Sequence, residues 1–272
     1  MAATAPADMA EWLAPTRLID SDHPKVVERA HDIIDGAGDE VQRALLIYFF
    51  VRDAIKFGVP VKLDMLKASE VLALGYACAT PKTTLFVALL RAVGIPARMH
   101  MVSINMAVNA GFGMPANVYG DHAYAEVFLH GCWFKLDSYA VDAPLFAAAR
   151  ARLKALGWRQ GYGIHRRGIN EWDGMSDSFC QYLVRGTETT PRGPRDVLRI
   201  EGPLKHAATA GVTRDSPQSD ADFGVVKDME DFKTRVVGSP FAKLRAPQFR
   251  LPFFFSSAVC NMRIAAVRAG KN

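Results

Sequence analysis

Cys78, His122 and Asp137 have the side-chain types of a nucleophile, a general base and a carboxylate that orients the base. In such a set the thiolate attacks a carbonyl carbon, the imidazole takes and returns a proton, and the carboxylate holds the imidazole in one tautomer. This is the chemistry of cysteine hydrolases and acyltransferases. Whether these residues can perform it depends on the elements that position them.

The stretch GYACATPKTTLFVALLRAVGIPAR, from Gly75 to Arg98, predicts a helix that is apolar on all sides and therefore buried. Thr80 before Pro81 is typical of an N-cap followed by the first helical residue, and Gly94 is typical of the position just after a helix. Cys78 is thus expected at or just before the helix N-terminus. The positive end of the helix dipole there favours a thiolate over a thiol.

The stretch HAYAEVFLHGCWFKLD predicts a β-hairpin, because two alternating runs flank His130-Gly131, which fits a two-residue turn. With that turn, Leu129 faces Cys132, and Phe128 and Glu126 face Trp133 and Lys135. The opposite charges of Glu126 and Lys135 support this register.

The same register predicts a histidine–carboxylate pair. It places Tyr124 opposite Asp137, and His122 lies two residues from Tyr124 on the same face. Diagonal neighbours across a strand pair lie about 7–8 Å apart at their α-carbons, a gap that an aspartate and an imidazole can close with a hydrogen bond.

Each of the three residues also has an ordinary structural interpretation. A lone cysteine is most often an inert buried residue. His122 fits a strand-edge histidine bonded to backbone, and Asp137 fits a strand-end carboxylate. The three together, at a helix end and on one hairpin, favour the catalytic interpretation.

Two segments resemble the signature blocks of the transglutaminase-like superfamily, which has a papain-like cysteine hydrolase fold and includes bacterial members. These segments are KTTLFVALLRAVGIPAR and HAYAEVFLHGCWFKLD, and the resemblance covers roughly residues 25–140. In that family a cysteine heads the helix that ends in G-I-P-A-R, a histidine opens the first strand and an aspartate ends the next one. The resemblance implies these roles for Cys78, His122 and Asp137.

One position departs from the family pattern. The family commonly has G-x-G-x-C-x-x-K before the helix, whereas the segment from Gly75 to Lys82 has the same length but its cysteine comes one residue early. Strict alignment therefore puts Ala79 where the nucleophile is expected. Two alternatives follow: the turn is rearranged so that Cys78 reaches His122, or the protein has lost its nucleophile.

We predict a cysteine-dependent acyl-transfer enzyme, with hydrolysis of an amide or related acyl bond favoured over cross-linking. The Cys78 backbone N–H would stabilise the oxyanion, with Tyr76 as a weak second donor. Tyr76, Tyr124 and Trp172 are the candidate substrate-binding residues, and the loop Asn105–Asp121 would shape the choice of substrate. The substrate is expected to be a peptide or a small molecule. The rivals are a non-catalytic papain-like scaffold that binds peptides or other ligands, and an acyltransferase to an amine.

Composition limits the remaining function classes. The formal net charge of +5 is modest, and the basic residues at 150–154 and 166–167 fit a solvated helix face and a polar loop. We therefore expect no nucleic-acid partner. Four widely spaced cysteines, without a C-x-x-C pair or clustering with histidine, predict a reduced cytoplasmic protein without a metal or other cofactor. No signal peptide or membrane span is expected, and the oligomeric state stays open.

The expected fold class is α+β, with the central buried helix packed on an antiparallel β-sheet. One domain over residues 1–272 is expected, with the core at about 23–140 and a C-terminal extension at about 141–272. Outside the two signature segments, amphipathic periodicity predicts helices at about 23–35, 39–57, 67–74, 144–156, 228–237 and 254–268. A strand is expected at about 99–105.

Overall fold

A four-stranded antiparallel sheet carries the hairpin predicted from the sequence. The computed structural model describes residues 7–114, 119–182, 222–235 and 250–271. The sheet has the strand order β5-β4-β3-β8, and two short two-stranded pairs accompany it, β1-β2 parallel and β6-β7 antiparallel. The strands are β1 Lys56–Phe57, β2 Tyr76–Ala77, β3 Ala97–Asn105, β4 Tyr119–Leu129, β5 Cys132–Leu136, β6 Gln160–Gly161, β7 Ile164–His165 and β8 Asp222–Val226.

The helices pack mainly around one of their number, α4. Their bounds are α1 Pro24–Ile33, α2 Glu40–Asp53, α3 Ala68–Leu74, α4 Ala79–Ala92, α5 Ala143–Leu156, α6 Met229–Arg235 and α7 Arg250–Arg268, with 3₁₀ turns at Ala7–Trp12, Leu63–Met65 and Met106–Asn109. Helix α4 contacts α1, α2 and α3 on one side and strands β3 and β4 on the other. The predicted α+β class, with a buried helix packed on an antiparallel sheet, is confirmed.

Helix α4 begins two residues earlier than predicted. Its N-cap is Cys78, so Thr80 and Pro81 are the second and third helical residues. Proline is tolerated there because the N–H groups of the first turn have no partner within the helix. Gly94 follows the C-cap with φ +80, which fits the prediction of a glycine just after the helix. From Ala79 to Arg91 every residue of the helix is buried.

The hairpin β4–β5 has the predicted register. Leu129 pairs with Cys132, Phe128 with Trp133 and Glu126 with Lys135. Both turn residues have positive φ, 50° at His130 and 80° at Gly131, as a type I′ turn requires. This turn matches the right-handed twist of the strands and therefore fixes which side chains share a face.

Two buried clusters lie on either side of the start of α4. The larger one joins α1, α2, α3 and the sheet to the middle of α4, and it contains Tyr48, Phe86 and Tyr139. The second one joins the first residue of α4 to helices α5 and α7, and it contains Phe112, Leu145 and Ile264. The extension after residue 140 therefore packs directly against the N-terminus of α4. One domain over residues 1–272 stays a prediction.

The other sequence expectations place most elements correctly. The loop predicted at Asn105–Asp121 includes the 3₁₀ turn Met106–Asn109, and β4 already begins at Tyr119. Residues 115–118 of the predicted loop and residues 236–237 of the predicted helix at 228–237 lie outside the described residues. Within the described ranges no helix has the length and apolar character needed to cross a membrane.

Helix α4 buries one ammonium group. The side chain of Lys82 is fully buried, and its Nζ donates a hydrogen bond to the carbonyl of Arg52 at 3.2 Å. Burial lowers the pKa of Lys82 to about 7, against the opposing effect of Asp142 and Asp53. This pKa is well below the ordinary lysine value, so the folded chain releases a proton that the unfolded chain keeps.

We expect Lys82→Met to remove a pH dependence of stability. Between about pH 7 and 10 the unfolded wild-type chain binds more protons at this site, so its free energy of unfolding rises with pH by a few kcal/mol. Urea titrations at pH 6.5 and 9.5 should show a smaller rise in Lys82→Met than in the wild type. Lys25→Met, at an exposed position, should keep the wild-type rise. An unchanged rise in Lys82→Met would contradict this expectation.

Candidate active site

His122 and Asp137 form a buried pair at the open end of the hairpin. His122 Nε2 and Asp137 Oδ2 lie 2.8 Å apart, and the two residues are 2% and 0% exposed. The strand ladder reaches Ala125–Leu136, which leaves Asp137 one residue beyond it. The diagonal contact predicted from the register of the hairpin is therefore present in the structure.

The Asp137 carboxylate is held by the backbone of a distant segment. Oδ1 accepts hydrogen bonds from the N–H groups of Cys180 at 2.6 Å and Gln181 at 3.2 Å, and Oδ2 accepts one from Tyr182 at 2.7 Å. Hydrogen bonds to an ionised acceptor are about twice as strong as neutral ones. With His122 these donors occupy both oxygens, so the carboxylate has one orientation.

This arrangement sets the tautomer of His122. In the neutral ring the nitrogen next to the carboxylate carries the proton, so Nε2 donates to Asp137 and Nδ1 keeps its lone pair. Among the described residues Nδ1 has no hydrogen-bond partner. His122 thus presents a basic nitrogen on the side of the ring away from Asp137.

The start of α4 is anchored beside the histidine through Thr83. The hydroxyl of Thr83 lies 3.1 Å from the carbonyl oxygens of both Ala79 and Ala123, and 2.8 Å from the hydroxyl of Tyr139. Ala123 directly follows His122 in β4. The first helical residue, Ala79, is therefore tied to the backbone that carries the imidazole.

Cys78 faces different surroundings. It is partly exposed, packs against the cluster of α5 and α7, and makes no hydrogen bond with His122 in the described structure. Burial first, and then the charge of Asp64, raise the pKa of the Cys78 thiol well above its usual value. Desolvation and Asp64 therefore oppose the thiolate that the helix dipole is expected to favour.

We expect Asp64→Asn to make Cys78 more reactive. Removing a negative charge that disfavours the thiolate lowers the thiol pKa, so alkylation by iodoacetamide at pH 8 should become a few times faster. Mass spectrometry of the labelled peptides measures the rate at each cysteine. The exposed Cys132 provides the reference within the same chain, and its rate should not change. Equal rates at Cys78 in both proteins would contradict the assigned effect of Asp64.

Two of the three predicted substrate-binding residues are buried for structural reasons. Trp172 is 4% exposed, packs between Tyr48 and Phe86, and donates its indole N–H to the carbonyl of Ser176. It is a core residue in this structure, and its role in substrate binding stays a prediction. The sequence around Trp172 has no regular pattern, so it did not indicate that helices α2 and α4 cover this side chain.

Tyr124 and Tyr76 differ in their relation to the pair. Tyr124 is 3% exposed and stacks between the rings of His100 and Tyr182, so it supports the site from within rather than lining an open surface. Tyr76, in β2, is partly exposed and lies against Gly58, where a Cβ would come within 2.9 Å of its ring. A role of Tyr76 as an oxyanion donor stays a prediction.

The residues that hold the pair were not predictable from the sequence. Cys180, Gln181 and Tyr182 act through backbone N–H groups, which carry no side-chain signal and lie more than forty residues from Asp137. Thr83 lies in the recognised helix segment, and a hydroxyl in an otherwise apolar stretch was the available signal. Within the described ranges no group of three or more histidine, cysteine or acidic side chains has metal-binding geometry.

The start of α4 lies beside a histidine–aspartate pair on an antiparallel sheet, which is the arrangement that the resemblance to the transglutaminase-like superfamily implies. Residues 27–138 match the model of the transglutaminase-like superfamily, which is less than half of the chain. This segment is therefore a transglutaminase-like core, and the family resemblance predicted from the sequence is confirmed.

The solved structures that resemble this chain are distant. A proposed cysteine protease from Cytophaga hutchinsonii shares 20% identity over 48% of this chain and 41% of its own, with a TM-score of 0.39. A proposed protease from Parabacteroides distasonis shares 15% identity over 48% of this chain and 26% of its own, with a TM-score of 0.33. The chain thus spans less than half of either protein. No curated protein matches it.

Proposed function

We propose that this protein is a cysteine-dependent acyl-transfer enzyme that hydrolyses an amide or related acyl bond, with His122 and Asp137 as the catalytic pair and Cys78 as the nucleophile. The observation that carries the proposal is the buried His122–Asp137 hydrogen bond, 2.8 Å long, with both carboxylate oxygens held by further donors. Such a fixed pair leaves His122 Nδ1 as the base.

The proposed reaction proceeds through a thioester. The Cys78 thiol gives its proton to His122 Nδ1, and the sulfur attacks the carbonyl carbon. The C–N bond breaks as the imidazolium protonates the leaving amine. His122 then takes a proton from water, the resulting hydroxide attacks the thioester, and the carboxylic acid leaves as the thiol is restored. Backbone N–H groups of the first turn of α4, which have no partner within the helix, would stabilise the oxyanion.

The proposal requires the Cys78 sulfur to come within hydrogen-bonding distance of His122 when an electrophile, either the substrate or an alkylating reagent, reaches the site. Hydrogen bonds between catalytic groups are often long or absent in a free enzyme and form only with substrate. The substrate would be a peptide or small-molecule amide. We further propose a cytoplasmic location and no nucleic-acid or membrane partner, in line with the scattered charge of the chain.

A second candidate function has its own supporting observation. Two observations favour a non-catalytic scaffold that binds a peptide or another ligand at the His122–Asp137 pair. The pKa of Cys78 is raised, and Thr83 joins the backbone of Ala79, rather than that of Cys78, to the strand of His122. In that case the Cys78 sulfur would not contact the His122 imidazole. An acyltransferase to an amine differs from the hydrolase only in the final acceptor.

Dependence of Cys78 alkylation on His122 separates the two candidates. For the enzyme we expect His122→Ala to slow iodoacetamide labelling of Cys78 by about tenfold or more at neutral pH, because the thiol loses its proton acceptor. Labelling of Cys132 serves as the reference. A rate at Cys78 that is the same with and without His122 would favour the scaffold. Product analysis with and without an added amine distinguishes hydrolysis from transfer.

A further inference from the structure

A groove of about 1000 Å³ runs between helix α5 and the segment 166–171. The helix residues that line it are spaced three or four apart, so they form one stripe along the helix. They are Ala143, Phe146, Ala147, Arg150, Ala151 and Lys154. The buried residues of the same helix are Leu145, Phe146, Ala149 and Leu153, so Phe146 belongs both to the groove lining and to the second buried cluster. The other lining residues of the helix lie outside that cluster.

Four cations line this groove against one carboxylate. Arg150 and Lys154 lie on the helix wall, Arg166 and Arg167 lie on the opposite wall, and Glu171 is the acidic lining residue. None of the four cations forms an ion pair within the part of the chain that the structure describes. Four cations on two facing walls produce a positive potential that attracts anions.

The pKa of a neighbouring histidine is affected by two of these cations. His165 directly precedes Arg166, and its pKa is lowered to about 4, first by burial and then by the charges of Arg167 and Arg166. The positive charge of Arg166 and Arg167 is thus strong enough to act on an adjacent titratable group.

The shape of the groove fits a short extended chain. Ala147 and Ala151 have small side chains, which let another backbone approach the helix. Along α5 the stripe from Ala143 to Lys154 is roughly 16 Å long at about 1.5 Å per helical residue. At about 3.3 Å per residue in an extended chain, this length holds roughly five residues. Ile169, which is 48% exposed, offers an apolar contact beside that path.

The charge is concentrated at one end of this path. Asn170 donates a side-chain hydrogen bond to the carbonyl of Val141 at 2.9 Å, so the 171 end of the segment lies beside the start of α5. Arg150 and Lys154 lie in the later turns of the same helix. A ligand bound along this path therefore contacts the cations at one end and Glu171 at the other.

We propose that this groove binds an acidic peptide segment in extended conformation, with its carboxylates between Arg150, Lys154, Arg166 and Arg167 and an apolar side chain on Ile169. A nucleic acid would need a longer basic stripe with several exposed aromatic rings for stacking, whereas Phe146, an aromatic residue of the groove lining, is only 7% exposed. A second copy of this chain, with a formal net charge of +5, is less complementary. The proposal does not depend on the catalytic function of Cys78.

Fluorescence anisotropy with a defined peptide tests this assignment. The probe is a fluorescein-labelled heptapeptide, Glu-Glu-Glu-Ala-Leu-Ala-Ala, whose glutamates lie at one end as the cations of the groove do. Its neutral match has glutamine in place of each glutamate. We expect saturable binding of the acidic peptide, at least tenfold weaker binding of the neutral peptide, and a further loss of affinity when the salt concentration is raised. Failure of the full-length protein to bind the acidic peptide would overturn the proposal.

Two charge-reversal variants with equal net charge separate the groove from general electrostatic attraction. Arg166→Glu with Arg167→Glu should weaken binding of the acidic peptide by tenfold or more. Lys25→Glu with Lys56→Glu, at exposed positions outside the groove, should change it by less than twofold. Thermal unfolding of both variants checks that each is folded. Equal weakening by the two variants, or displacement of the peptide by a single-stranded oligonucleotide of matched charge at lower concentration, would contradict a peptide groove.

Discussion

Asp137→Asn is expected to destabilise the protein by about 3–5 kcal/mol. The change removes a buried carboxylate, and at least one of its buried hydrogen-bond donors then has no acceptor. Asp137 is fully buried, and its two oxygens accept three backbone N–H groups and the ring N–H of His122. An asparagine supplies one oxygen and one NH₂ group. Its NH₂ group would face at least one donor from the protein, so a buried N–H would lose its acceptor.

The measurement for Asp137→Asn is urea unfolding followed by tryptophan fluorescence. Asp173→Asn is a suitable control, because Asp173 also accepts local hydrogen bonds, from Met175 N–H and the Ser176 hydroxyl, but on an exposed loop. Its cost should stay near 1 kcal/mol or below. A similar small cost for Asp137→Asn would show that the donors around Asp137 contribute little to stability.

Moving the thiol by one residue is expected to have the largest effect on reactivity. In the double variant Cys78→Ala with Ala79→Cys, the sulfur lies on the first helical residue, which Thr83 ties to the strand of His122. A cysteine beside an imidazole at a helix N-terminus has a pKa of about 3.5–7.5, against about 8.5 for a free thiol. At pH 6.5 we therefore expect alkylation about tenfold or more faster than that of Cys78 in the wild type, even after allowing for the lower nucleophilicity of the thiolate.

The control for this exchange is the same double variant with His122→Ala. It should lose most of the gain, because the ion pair between the sulfur and the imidazole can no longer form. Cys132 again serves as the internal reference. If the double variant labels no faster than the wild type, residue 79 does not face the imidazole, and the comparison of the chain with the family pattern needs another alignment.

Local rules were sufficient for the hairpin. The turn residues His130 and Gly131 fix the register, and the register brings His122 and Asp137 together, so a pair of side chains fifteen residues apart was predictable. The buried helix was equally clear from its composition. Its start was misplaced because Pro81 was assigned to the first helical position, although the third position leaves its missing N–H equally harmless.

Features that depend on distant parts of the chain were not predictable from one sequence. The pKa of Cys78 is set by burial under later helices and by Asp64, neither of which the helix dipole argument included. Trp172 was assigned to substrate because its segment showed no regular pattern, yet Tyr48 and Phe86 enclose it. The backbone donors around Asp137 had no signal at all, since every non-proline residue carries the same N–H group.

The position of those donors has a consequence for transplanting this site into another protein. Residues 27–138 include all three proposed catalytic side chains, but the three N–H groups that orient the carboxylate belong to residues 180–182. A graft limited to residues 27–138 would carry the three side chains without the N–H groups that orient Asp137. The smallest portable unit of this chemistry is therefore longer than the signature by which the family is recognised.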